Sequence, residues 1–206
     1  MITIHTFARG ARGLRVMWLC EEMGLPYEIA VVPAPADGAY RAMNPLGTVP
    51  YLTDDGGVAI NESVAMLIYI AQRYGPTPLL PTSDDPLFAR VLQLTVFSEA
   101  SLGGLNPLME THFTAPAQDK HNFTAQALER RVETALGYVE QLLGAGPFLA
   151  GKRFTIADIA ISTALGMWRG ALGKTLTPSL AAYQGRLAER PAQLRARDKQ
   201  KRLTAA

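Results

Sequence analysis

The chain opens on a strict alternation. Ile2, Ile4 and Thr6 fall on one face and Thr3, His5 and Phe7 on the other, the period of a half-buried strand of β-branched and aromatic residues. Val16, Trp18, Leu19, Cys20 and Met23 then predict a helix that Gly24 can stop. Tyr27–Val32 reads as a second strand. Tyr51–Thr53 and Val58–Ile60 flank Asp54-Asp55-Gly56-Gly57, a hairpin signal. Val64, Leu67, Ile68 and Ala71 share one helical face. The predicted order is β-α-β followed by β-β-α.

The pattern breaks at Gly75–Pro86, where Pro76, Pro78, Pro81 and Pro86 leave room for no regular element. Beyond it every apolar period is helical. Leu87, Val91, Leu94, Ser98, Leu102, Leu105 and Met109 predict one long helix, and Leu128, Val132, Ala135, Val139 and Leu142 a second. Ile156–Trp168 is apolar nearly all round, as expected of a helix at the centre of a bundle. Shorter helices are expected over Pro178–Glu189 and Pro191–Arg197. The organisation expected is a mixed α/β domain over residues 1–75, a linker over 76–86 and an all-helical domain over 87–206.

Composition narrows the chemistry. The single cysteine, Cys20, excludes an internal disulfide and a Cys-rich metal site. On an apolar helical face it reads as a small core residue. His5, His112 and His121 lack metal-ligand spacing, so no metal is expected. Met1–Phe7 does not resemble a signal peptide, and no apolar run reaches the roughly 18–20 residues of a membrane span. A cytoplasmic protein is the simplest expectation. The net charge of +2 is uneven, with seven Lys/Arg against two Asp/Glu from Arg186 onward. Without interleaved aromatics this points to a solvated last helix and frayed terminus rather than a nucleic-acid or membrane surface.

Three stretches carry a family resemblance: Asn44-Pro45-Leu46-Gly47-Thr48-Val49-Pro50-Tyr51-Leu52, then Ile60-Asn61-Glu62-Ser63 leading into a helix, then Phe154-Thr155-Ile156-Ala157-Asp158-Ile159. In this order and spacing, together with Leu14–Tyr27, they resemble the cytosolic glutathione transferases over essentially the whole chain. The resemblance implies a thioredoxin-like domain followed by a helical bundle, usually in a homodimer; Met66, Tyr69, Ile70 and Tyr74, beside the core face of the helix that carries Val64, are more apolar surface than one small domain needs and are expected to face the partner. It also implies a cis Val49–Pro50 bond. Thr48, Val49 and Pro50 would offer an extended edge on which a peptide pairs as an added strand. Glu62 and Ser63, where a helix begins, match the ammonium and carboxylate of a γ-glutamyl group. Thr155 and Asp158 read as a capping box, with Phe154 and Ile159 as its apolar staple.

Members of the family activate the glutathione thiol with a side chain after the first strand. Here the serine- and cysteine-type positions fall on Ala8 and Ala11, and the tyrosine-type position on Thr6. Thr6, Arg12 and the N–H groups of Ala11–Gly13 are the remaining candidates. The loop has no cysteine, which argues against a mixed-disulfide mechanism. Conjugation to an apolar electrophile, peroxide reduction and isomerisation stay open. Phe7, Met109, Phe113 and Trp168 are candidate walls for the second substrate. The competing expectation is a non-catalytic glutathione binder or interaction scaffold on the same fold.

Overall fold

Strand β1 (Ile2–Thr6) buries Ile2, Ile4 and Thr6, the face its alternation predicts. It runs parallel to β2 (Tyr27–Val31) and antiparallel to β3 (Tyr51–Asp54), which pairs with β4 (Val58–Ile60), so the sheet order is β2-β1-β3-β4. Helix α1 (Ala11–Met23) forms the crossover between the parallel strands β1 and β2 and ends on Gly24 at φ 64. Helix α3 (Ser63–Arg73) packs against α1. The computed structural model describes residues 1–203. The element order is that of a thioredoxin-like domain, with an additional short helix, α2 (Gly38–Met43), capped by the Asp37 side chain. The apolar period gave no sign of α2, because of its six residues only Tyr40 is buried.

The later helices are α4 (Phe88–Ala100), α5 (Leu105–Thr114), α6 (Phe123–Leu143), α7 (Ile156–Gly166), α8 (Pro178–Ala188) and α9 (Pro191–Leu203). The long helix expected over Leu87–Met109 is two. Pro107 lacks the N–H that a continuous helix would need and its ring would strike the carbonyl of Gly103. In the turn between them, a Cβ on Gly103 would collide with the Glu99 carbonyl. Helix α7 is buried nearly all round and continues into a π-helical turn, Met167–Ala171. Asp158 acts as the expected cap: its carboxylate accepts from the Thr155 N–H (2.8 Å), the Leu149 N–H (2.9 Å) and the Tyr183 hydroxyl (2.7 Å).

Contacts divide the chain into two compact units, Met1–Thr77 with the residues from Ala188 on, and Pro78–Leu187. The sequence assigned all of 87–206 to the helical domain, whereas α9 packs against α1. Its basic residues are spent there. Arg190 makes a bidentate pair with Glu22 (2.6 and 2.8 Å), and Arg195 and Lys199 both reach Glu21 (2.8 and 2.6 Å). The last helix is therefore docked rather than solvated. The expected frayed terminus, 204–206, lies outside the described residues.

A second expectation is corrected on α3. Met66, Tyr69, Ile70 and Tyr74 were expected to leave an apolar face exposed for a partner. Met66 and Ile70 are fully buried. Tyr69 and Tyr74 are half-buried and donate their hydroxyls to Asp54 Oδ2 at 2.9 and 2.6 Å.

Candidate functional site

The loop before β3 is built to hold one carbonyl. Asn44, which ends α2, is fully buried and its Nδ2 donates to the Thr48 carbonyl at 2.8 Å. The Tyr40 hydroxyl donates to the same oxygen at 2.6 Å. Gly47 turns the chain at φ 63, where its missing Cβ matters twice over: the conformation suits glycine, and a Cβ would sit 2.7 Å from the Arg41 guanidinium. With Thr48 fixed, the Val49–Pro50 bond is cis and Pro50 is buried. Val49 itself lies outside the β1–β3 ladder, which pairs Tyr51, Leu52 and Thr53. It packs, with Phe7, against a small cluster of Val32, Tyr40 and Tyr51. The first loop and the Val49 edge are thereby joined through one patch of core.

Glu62 stands at the entrance to α3 with φ 67 and ψ 104, the one non-glycine residue with positive φ among those described. For a residue with a Cβ such a backbone costs about 1–3 kcal/mol, and strain of this kind clusters at ligand sites. Glu62 is exposed, while Ser63, the first helical residue, is 3% exposed. The Ser63 hydroxyl accepts a hydrogen bond from Arg15 Nη1 at 2.8 Å, and Arg15 is itself only 2% exposed. The structure thus brings an acid, a hydroxyl and a buried guanidinium to one helix N-terminus, where partial positive charge gathers.

The loop between β1 and α1 places its candidates very differently. Thr6 is fully buried and its hydroxyl donates to the Phe7 carbonyl at 3.3 Å. Gly10 and Gly13 lie directly over it; a Cβ on Gly10 would be 2.5 Å from the Thr6 oxygen and one on Gly13 closer still. Arg12 is half-buried in the first turn of α1. That helix starts after Gly10 with no side-chain cap, which leaves its first-turn N–H groups to other acceptors. Gln200 of α9 donates to the Gly10 carbonyl at 2.9 Å. Cys20 is buried in α1, and burial pushes its thiol up to about 12, so it stays protonated and inert.

Of the four proposed wall residues, Phe7 belongs to the first unit and the others to the second. Met109 is half-buried, Phe113 is exposed and meets His112 edge to face at 4.9 Å, and Trp168 is buried with its indole N–H on the Thr175 carbonyl at 3.1 Å. Trp168 also lines a small cleft of this unit with Leu108, His112, Glu129 and Lys174. Among the described residues no cluster of three or more His, Cys, Asp or Glu could hold a metal ion, and no helix is long and apolar enough to cross a membrane.

Arg15, Tyr40, Asn44 and Arg41 were not singled out from the sequence. Arg15 carries one usable signal, a charged residue between Leu14 and Val16 at the head of a helix's buried apolar run. The other three act through loop geometry that has no local pattern.

Comparison with known proteins follows the same outline. A family model described as glutathione S-transferase, N-terminal domain, matches residues 12–73, and one described as glutathione S-transferase, C-terminal domain, matches residues 105–194. Glutathione S-transferase 3 of Schizosaccharomyces pombe is 30% identical over 175 residues, covering 77% of this chain and 70% of that protein. The disulfide-bond oxidoreductase YfcG of Escherichia coli is 25% identical over 205 residues, covering 93% of this chain and 92% of that one. A crystal structure of a glutathione transferase from Methylococcus capsulatus superposes with a TM-score of 0.85 at 28% identity, covering 97% of this chain and 98% of that chain.

Proposed function

The chain belongs to the glutathione S-transferase family, and on that premise we propose that it binds glutathione and transfers its thiolate sulfur to a small apolar electrophile. The observation that carries this reading is the strained Glu62 beside Ser63 at the head of α3. The γ-glutamyl end of glutathione bears one ammonium and one carboxylate, and this pair supplies one acceptor and one donor. The cysteinyl unit would pair with the N–H and C=O of Val49 as an added strand beside Thr48 and Pro50. The exposed Arg41 guanidinium close to Gly47 is a cation available near that edge for the glycyl carboxylate.

In conjugation the thiolate forms a carbon–sulfur bond and the electrophile's leaving group departs with the electron pair. Thr6 is poorly placed to hold the sulfur, because its hydroxyl is covered by Gly10 and Gly13 and already bonded to Phe7. Arg12 and the uncapped start of α1 are the groups that remain. A weak activator is tolerable. A thiol of pKa about 8.5 is about 3% ionised at neutral pH. Lowering the pKa by about two units raises the thiolate about 25-fold, while nucleophilicity falls by about 6- to 10-fold at a slope of ~0.4–0.5. Holding the two reactants together contributes far more than the few-fold difference.

Phe7, packed beside Val49 on the same small core cluster, is kept as a wall for the electrophile. A homodimer in the cytoplasm completes the proposal; Leu46, 63% exposed, and Val96 are among the exposed apolar residues available for such a contact. A second reading, a glutathione binder without catalysis, is favoured by the absence of a side-chain activator at Ala8 and Ala11. Titration calorimetry with glutathione, followed by assays with an aryl halide, an organic hydroperoxide and an isomerisable substrate, separates the two. Binding with turnover of at least one substrate is the expected result. Binding with none selects the scaffold, and no binding removes both readings.

A further inference from the structure

Arg15 lies on the inner face of α1, 2% exposed, and its Nη1 donates to Ser63 Oγ at 2.8 Å. A guanidinium has no acceptor, so in this bond the serine can only accept. Its own proton must then point elsewhere. The bond therefore fixes Ser63 as a donor and turns the O–H away from α1. A ligand carboxylate seated on the Ser63 O–H would accept a hydrogen bond whose direction the buried arginine has set.

We propose that Arg15 is a positioning residue for the ligand's α-carboxylate, acting through Ser63: it holds the serine oxygen as an acceptor and so sets the direction in which the serine O–H donates. This rests on the reading of Glu62 and Ser63 as the γ-glutamyl site. It identifies the feature of the ligand that the arginine senses, an α-carboxylate next to an ammonium, and it makes a buried residue of α1 part of the specificity for that head group. A role confined to packing makes a different prediction, because it does not distinguish ligands with and without that carboxylate.

The test uses two ligands in each variant. One is glutathione. The other replaces the γ-glutamyl residue by 4-aminobutanoyl, which keeps the ammonium and the reach but lacks the carboxylate. Calorimetric affinities give a preference ratio for each protein. Arg15→Met is expected to lower that ratio by about tenfold or more, the size of one charge-assisted hydrogen bond, while affinity for the analogue changes little. Arg15→Lys, which keeps a cation and a donor, should lower it less. Ser63→Ala should lower it as Arg15→Met does, and combining Ser63→Ala with Arg15→Lys should add little to Ser63→Ala alone. Equal losses for both ligands, or an unchanged ratio, overturn the proposal. If Arg15→Met does not fold, the Arg15→Lys and Ser63→Ala cycle decides, and effects that simply multiply overturn it. Wild-type protein that fails to bind glutathione overturns the site reading as well.

Discussion

Gly13 of α1 sits so close to Thr6 of β1 that any side chain at position 13 would overlap the Thr6 hydroxyl. This one approach seals the only hydroxyl of the first loop away from a ligand and sets how tightly α1 lies on the sheet. Gly13→Ala should therefore push β1 and α1 apart. Overpacking of this kind costs about 1–3 kcal/mol, which a urea midpoint would register. Gly13→Ala combined with Thr6→Ala removes the hydroxyl overlap but leaves the position 6 Cβ 2.6 Å from the new methyl, so it should recover only part of that loss.

The same contact predicts the outcome of thiol titration. Thr6→Val keeps the buried shape and should leave the ultraviolet titration of bound glutathione unchanged. Arg12→Met should raise the bound thiol's pKa, because a full charge acts over a longer range than a dipole. If neither change moves the titration, the backbone at the start of α1 is left as the activator. If the wild-type thiol titrates no lower than that of free glutathione, the loop activates nothing.

Glu62 should separate stability from affinity. Glycine adopts its left-handed backbone freely, so Glu62→Gly is expected to stabilise the protein by about 1 kcal/mol. The same change removes the partner of the ammonium and should cost about 1.5–3 kcal/mol of glutathione binding. Thermal melts and calorimetry on one preparation check both directions. A melt that falls, or an affinity that holds, would show that the strain at Glu62 is not kept for the ligand.

Asp54 gives a pH signature. Its side chain is 2% exposed, and burial alone would raise its pKa. Hydrogen bonds from Tyr74, the Asp55 N–H and Tyr69 outweigh this and hold it below the ordinary carboxylate value. A carboxylate depressed by folding contributes stability that is complete above its unfolded value, about 3.9, and is lost as pH falls through the folded one. Wild type should lose stability across that acidic window. Asp54→Asn should start less stable at neutral pH and show a flatter acid limb in urea midpoints from pH 6 to 3. Parallel curves would assign the acid sensitivity to other groups.

Docking of α9 depends on Glu22, whose carboxylate takes both Arg190 and the Trp18 indole N–H (2.8 Å). Glu22→Gln should cost about 1–2 kcal/mol, less than a fully buried pair because Arg190 is part-exposed. Proteolysis cutting within 191–203 should speed up in that variant; an unchanged cleavage rate would mean that the apolar α1–α9 contact suffices.

Periodicity was enough to read the strand Ile2–Thr6 and the helices α1, α6 and α7, because each repeats a burial pattern over several residues, while turn residues marked the hairpin before Val58–Ile60 and prolines the break at 75–86. The motifs around Val49–Pro50, Glu62-Ser63 and Thr155–Asp158 were also legible, since cis-proline loops and helix starts demand particular residues locally. What lay beyond the sequence depends on distant partners. The basic run after Arg186 looks solvated until α9 meets Glu21 and Glu22, roughly 170 positions earlier. The apolar side of α3 looks like spare surface until folding buries Met66 and Ile70. Thr6 looks like a hydroxyl facing a loop until Gly10 and Gly13 close over it. Arg15 becomes part of a site only because folding sets it against Ser63, 48 residues away. A sequence specifies the period of each element; which face is covered, and by which charge, is decided when non-local elements exchange water for one another.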